Sequence, residues 1–308
     1  MKILKNILIF TLSLVVLTVV FVLSSYTDKN DKKTNNEANT DSDPVQQVKV
    51  PSLPDTLNFA GEAVPLNDMD IHERIDREFL SICFGHSSII QNIKFTKRYF
   101  PMMEEVFKKY GIPDDFKYLA VTESNLRNLT SSAGAKGIWQ FMSSTAQSYN
   151  LIVNKEIDER MNFYKTTEAA CKFLKNLKEK FGSWTLAAAA YNCGEGRVRE
   201  KIGEQMVKDY YQLVLPDETM RYVPRIIAMK EVMKDPEKYG LLLSEKDFYP
   251  ELPKYKKVTV NTSVKHWPEF CKPYNISYKT LIVHNPWILG YTLNNPSLTT
   301  YEVLIPEI

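Results

Sequence analysis

Glu123 is the residue in this chain whose type and placement most plainly suit chemistry. Ile112, Phe116, Leu119 and Glu123 follow one another at spacings of four, three and four. That spacing puts the glutamate on the apolar stripe of a helix that starts after Pro113. A carboxyl group there loses part of its hydration, its pKa rises, and it is suited to donate a proton near neutral pH. The plainer alternative is a glutamate at a helix end, turned out to water. Ordinary glycosidases use two carboxyl groups about 5–9.5 Å apart. Asp115 lies eight residues earlier, about 12 Å along a helix, and no acid follows Glu123 until Glu156. The residue types near Glu123 therefore describe one acid–base group working without a local partner.

The elements that must position it are legible around it. Asp114 and Asp115 are expected in the first turn of the helix, where carboxylates favour its dipole. Ser124 is followed by a long loop, Asn125–Gly137, after which Ile138-Trp139-Gln140-Phe141-Met142 leads into another helix. Four alanines, Ala187–Ala190, let neighbouring helices pack closely and place Tyr191 and Asn192 at a helix end. From Asp70 to Pro253 the apolar spacing is helical: Ile71, Ile75 and Phe79; Ile93 to Phe107; Ala169 to Leu177; Tyr222 to Val232. No segment in that stretch alternates as a strand.

These residues carry a family resemblance. Glu123-Ser124, then Gly134-Ala135-Lys136-Gly137-Ile138-Trp139-Gln140-Phe141-Met142, Thr145-Ala146 and Ala190-Tyr191-Asn192-x-Gly194 resemble the ordered signatures of family 1 lytic transglycosylases. The flanks look closer still to the membrane-bound murein transglycosylase D type. They are Phe59-Ala60-Gly61-Glu62, Gly111-Ile112-Pro113, Tyr118-Leu119-Ala120 and Glu218-Thr219-x-x-Tyr222-Val223-Pro224. The match covers about residues 57 to 240. Ser143 and Asn128 stand where prolines are common in the family, and Cys193 replaces a small residue, all beside the matched positions.

The resemblance implies a mainly α, lysozyme-like (SLT) catalytic domain that cleaves peptidoglycan strands between N-acetylmuramic acid and N-acetylglucosamine, without a cofactor. It implies that one glutamate, Glu123, first protonates the leaving oxygen and then deprotonates the muramoyl C6 hydroxyl, which closes a 1,6-anhydro ring. Ser124 would help position the acid or the groups on the oxocarbenium side; Gln140, Met142, Tyr191 and Asn192 would line the sugar sites; Glu218 and Tyr222 would reach back toward the catalytic carboxyl. Trp139 and Trp184 read equally well as core. A hydrolytic muramidase and a non-catalytic peptidoglycan-binding protein remain the rival readings.

Composition sets the remaining bounds. The 308 residues carry 39 Lys+Arg and 37 Asp+Glu, a net charge of +2, so no basic field for nucleic acid exists. Cys83, Cys171, Cys193 and Cys271 are scattered without a CxxC pair, which reads as mostly buried thiols. Cys83-Phe84-Gly85-His86 has no second ligand pair, so no metal site is expected. Lys2 and Lys5 precede an apolar run from Ile7 to Leu23, which is expected to be a signal anchor over residues 1–26. Residues 27–56 are polar and read as a disordered tether. The expected setting is the cell envelope, with the body in the periplasm on a bacterial membrane anchor, or released there if the signal is cleaved. A domain over 57–250 is followed by a change of texture at Pro253. Lys256–Val260 and Tyr301–Ile305 read as strands, and Ser263 and Ser277 as caps of two helices reaching Phe270 and His284. Tyr274-x-Ile276-Ser277, Leu281 and Asn285-Pro286 resemble a degenerate glycan-binding LysM module over 254–308, expected to be separable from the body.

Overall fold

The computed structural model of the chain describes residues 50–307. The expected anchor and nearly all of the tether lie outside these residues. Among the described residues no helix is long and apolar enough to cross a membrane.

A two-residue turn opens the body. Ala60 (φ 53°) and Gly61 (φ 80°) turn strand β1, Asn58–Phe59, back into β2, Glu62–Ala63, the left-handed pair that tight hairpins require. Helix α1 runs Met69–Phe84 and is capped by Asp68, which accepts from the amides of Asp70 and Ile71. Helix α2, His86–Tyr110, ends on left-handed Gly111, and α3, Phe116–Ser124, follows. After the loop come α4, Ser143–Ser148; a 3₁₀ turn, Glu159–Met161; α5, Phe163–Phe181; α6, Trp184–Cys193; α7, Glu195–Gln205; and α8, Asp217–Lys234. The alanine-rich α6 is the central helix: Leu186 through Ala190 are fully buried, and α5, α7 and α8 pack around it. Small side chains there allow the close approach that bulkier ones would block.

Asp115 does not sit in a helical first turn as expected, because α3 begins one residue later. Its carboxylate accepts from the Ala60 amide at 2.7 Å and the Lys230 ammonium at 2.8 Å. It stitches the hairpin to α8 instead of serving a dipole. Glu62 plays a matching part from β2, accepting from the Trp184 and Thr185 amides and the Thr185 hydroxyl. A carboxylate from a distant hairpin thereby caps the helix that carries Tyr191 and Asn192. All four thiols are free, and burial pushes Cys83 up to about 11 and Cys171 to about 12.

In the tail, β3 (Tyr255–Val260) pairs antiparallel with β4 (Tyr301–Pro306), Tyr255 opposite Pro306 and Val260 opposite Tyr301. Between them lie α9, Trp267–Cys271, and α10, Tyr278–His284. Ser277 caps α10, accepting from the Thr280 amide, as its position predicts. Ser263 does not cap a helix. Pro268 fits only a first turn, so α9 starts at Trp267, and the Ser263 hydroxyl accepts from the Asn295 amide at 2.9 Å.

The tail is joined to the body through a shared core. Ile157 is fully buried in the cluster of Trp267, Leu281, Trp287, Ile288 and Val303, with Ile152 and Met161 packed against it. Backbone bonds of 2.9 Å run from Leu289 to Glu156 and from Asp158 to Trp287. Removing residues 254–308 would strip this cover, and exposing a residue like Ile157 costs about 1.5–3 kcal/mol. The truncated chain should therefore melt at least about 3 °C lower than the whole chain. A thermal transition followed by circular dichroism checks this. Coincident curves would mean that the tail is a free appendage.

Candidate active site

α3 is buried on every face from Phe116 to Val121, and Glu123 follows in its last turn. Glu123 as a whole is half-buried. The Tyr222 phenol, delivered by α8, donates to Glu123 Oε1. Burial pushes the Glu123 carboxyl up to about 7; the Tyr222 hydrogen bond pulls it down, the Glu218 charge raises it and the Arg225 charge lowers it. Tyr222 and Tyr191 are both held far above the usual phenol range, first by burial and then by the Glu123 charge. Both phenols are therefore neutral donors, and Glu123 changes its protonation state near neutral pH.

Arg225 is held in place by a group that sequence reasoning missed. Glu78 of α1 is 2% exposed and accepts from Arg221 Nε at 2.5 Å and from Arg225 Nε at 2.8 Å. The arginines are four residues apart and so share one side of α8 with their common partner. That spacing was the available signal, but nothing in the sequence joins it to α1.

The loop after Glu123 is built from unusual backbone and several braces. Asn125 (φ 52°) and Leu126 (φ 55°) leave the helix in the left-handed region, and Leu126 is fully buried. Asn125 Oδ1 accepts from the Asn92 amide group at 3.0 Å. The Ser124 hydroxyl lies 2.8 Å from the Ile138 carbonyl and 3.2 Å from that of Ala120. Tyr191 donates to the Trp139 carbonyl at 2.6 Å. Gln140, itself at φ 48°, donates to the Gly137 and Leu129 carbonyls at 2.8 and 3.2 Å. The Trp139 indole is buried and donates to Thr167. Behind the loop, Arg160 grips Asp158 through two 2.8 Å bonds and donates to the Gly134 and Phe141 carbonyls.

The structure thus groups Glu123 with Tyr222 and, through charge, with Tyr191, Glu218 and Arg225. Glu218 is exposed at the start of α8. Asn192 Oδ1 accepts from the neighbouring Thr219 hydroxyl at 2.8 Å. Met142 is 45% exposed beside the loop. Ser124 is buried, and its hydroxyl is committed to the Ile138 and Ala120 carbonyls. A group that must donate a proton loses its reactive form above its pKa. Turnover should accordingly decline as pH rises through about 7. An initial-rate profile from pH 4 to 9 tests this, and a flat alkaline side would remove Glu123 as the acid.

The chain is similar to known proteins in two stretches. Residues 101–214 match the Transglycosylase SLT domain family model, and residues 256–308 match that of the Soluble lytic transglycosylase C-terminal LysM-like domain. The first match spans Glu123 through Asn192 and ends before Glu218 and Tyr222. The chain is 36% identical over 146 residues to the Membrane-bound lytic murein transglycosylase D of Escherichia coli (strain K12), covering 46% of this chain and 32% of the relative. It is 31% identical over 97 residues to a Putative tributyltin chloride resistance protein of Alteromonas sp. (strain M-1), covering 31% of this chain and 47% of that one. The chain thus spans about a third to a half of the length of these relatives. Among solved structures it is similar to the 70 kDa soluble lytic transglycosylase of Escherichia coli, with 23% identity, a TM-score of 0.37, and coverage of 47% of this chain and 26% of that one. Residues 101–214 therefore carry a transglycosylase SLT domain, and residues 256–308 a LysM-like domain of the soluble lytic transglycosylase type.

Proposed function

We propose that the protein is a peptidoglycan lytic transglycosylase that cleaves the bond between N-acetylmuramic acid and N-acetylglucosamine and leaves a 1,6-anhydro end. The observation that carries this reading is the single carboxyl of Glu123, pushed up to about 7 and hydrogen-bonded by a neutral phenol. A carboxyl poised there donates a proton to the leaving oxygen and, as carboxylate, accepts one afterwards. The substrate's C6 hydroxyl is tethered near C1, and such tethering gives effective molarities far above those of an external nucleophile. Tyr222 holds the carboxyl, and Ser124 fixes its helix end against the loop. Gln140, Met142, Tyr191, Asn192 and Glu218 surround the sugar path. The name of the Escherichia coli relative supports placement at the cell envelope. With it we propose the signal anchor at 1–26, the tether at 27–56, the catalytic domain at 57–250 and a glycan-binding module at 254–308.

One observation favours a second reading. Glu218 is exposed and close enough for its charge to raise the Glu123 pKa, so it is placed to activate water in a hydrolytic muramidase. Mass spectrometry of sacculus digests separates the two. Anhydro ends are expected; predominantly reducing ends, one water heavier, would make Glu218 the base and the enzyme a hydrolase.

A further inference from the structure

A cavity of about 400 Å³ lies in the seam between the helical body and the tail, and Glu123 is not part of it. That size is in the range of small-molecule sites. Its walls include Tyr164 from the body and Tyr255, His284 and Trp287 from the tail, so the pocket exists only because the tail docks. Its lining is mainly apolar and aromatic, with two side chains of opposite charge, Arg98 and Glu251.

Arg98 is pre-positioned. Its Nε donates to the Pro250 carbonyl at 3.1 Å, and its guanidinium lies over the rings of Phe95 and Tyr249 at 5.6 and 5.5 Å. Among the described residues no carboxylate forms an ion pair with it, and Glu251 likewise has no cationic partner. His284 accepts or donates at Nδ1 with the Tyr255 hydroxyl at 2.9 Å, and burial together with the Arg98 charge favours its neutral ring. A fixed guanidinium that lacks a carboxylate partner, and that also hydrogen-bonds the Tyr99 phenol, is suited to a carboxylate, an exposed glutamate to an ammonium, and the rings to the hydrocarbon between. The floor includes Ile138, whose carbonyl receives the Ser124 hydroxyl, so the pocket backs onto the same loop as Glu123.

We propose that this seam pocket binds a zwitterionic amino-acid centre of the peptidoglycan stem peptide, carboxylate on Arg98 and ammonium on Glu251. The proposal rests on the peptidoglycan reading and adds a second, peptide-reading site to it. Such a site makes the enzyme discriminate between strands that carry peptides and strands stripped of them.

The test compares the whole protein with Arg98→Gln and Glu251→Gln on peptide-bearing strands and on strands stripped by an amidase. Losing one charge-assisted contact should lower kcat/KM on peptide-bearing strands at least about tenfold and leave stripped strands within about twofold. Arg98 also holds the Pro250 carbonyl, so melting curves accompany it, and exposed Glu251 supplies a variant with no such bond. Calorimetry of N-acetylmuramoyl-L-alanyl-γ-D-glutamyl-meso-diaminopimelate with the Glu123→Gln protein reads the site without turnover, and either seam variant should weaken binding by the same factor. Equal losses on both strand types would reduce Arg98 to a structural brace. Unchanged rates and unchanged binding in both variants would overturn the site. If the parent cuts neither strand type yet still binds the muropeptide through Arg98, the activity reading fails and the pocket stands.

Discussion

Glu123→Gln should lose at least about a hundredfold of strand-cleaving activity while folding normally, since acid–base catalysis contributes typically 10²–10⁴-fold. The amide keeps the shape and still accepts the Tyr222 hydrogen bond, but it neither gives nor takes the proton. A variant that retains more than about a tenth of parental activity would end the assignment. The same substitution carries a second signature in stability. The carboxyl is raised from 4.5 in the unfolded chain to about 7 in the folded one. Below pH 4.5 it is protonated in both states and has no effect. Between the two values the folded state keeps a proton that the unfolded state has lost, so stability falls as pH rises, and the deficit is complete above about 7. Removing the charge should therefore stabilise the protein by about 1–3 kcal/mol at pH 8 and by nothing near pH 4. Denaturant titrations of both proteins at the two pH values measure this. A pH-independent difference would show that burial of Glu123 is not what sets its pKa.

Gly137→Ala should be nearly as damaging without touching any reacting group. Gly137 has φ +83°, which already strains an L side chain, and an added Cβ would stand 1.9 Å from the Arg160 carbonyl oxygen. That obstacle is backbone, held by the Asp158–Arg160 pair, so no rotamer change relieves it. The loop must move, and Gly137 is where Gln140 is tied and where Tyr191 and Ser124 meet the next two carbonyls. A loss of about 3–5 kcal/mol is expected, with activity falling in the protein that remains folded. Thermal melting and specific activity measured together decide it. A variant with parental melting and activity would show that the loop tolerates a shift of more than an ångström, and the bracing described above would then not position the site.

Local periodicity made the helices readable from the chain alone. The helix that ends at Glu123, the alanine run before Tyr191 and the Ser277 cap each concern residues within a few turns of one another, and the folded protein keeps them, although Ile112 precedes that helix and Phe116 through Val121 are buried on every face. The partly desolvated Glu123 carboxyl was legible for the same reason, since a position on an apolar stripe is a statement about burial. Only the tertiary structure decided which distant groups meet. Asp115 pairs with Lys230, Glu62 caps α6, and Glu78 holds Arg225, each across more than one hundred residues of chain. Carboxylates that look free to serve a helix dipole or the solvent are claimed by cations and amides that no sequence pattern places beside them. Only the packed loop shows that the Ser124 hydroxyl and the Gln140 amide are tied to backbone carbonyls, in a segment where the non-glycines Asn125 and Leu126 join Gly134 and Gly137 in the left-handed region. The tail shows the same limit: its strands and second helix followed from alternation and capping, but its shared core with Ile157 depended on how a short surface segment folds against it. Burial along one element is written in its own spacing, whereas the partner of a buried charge is settled only when the elements pack.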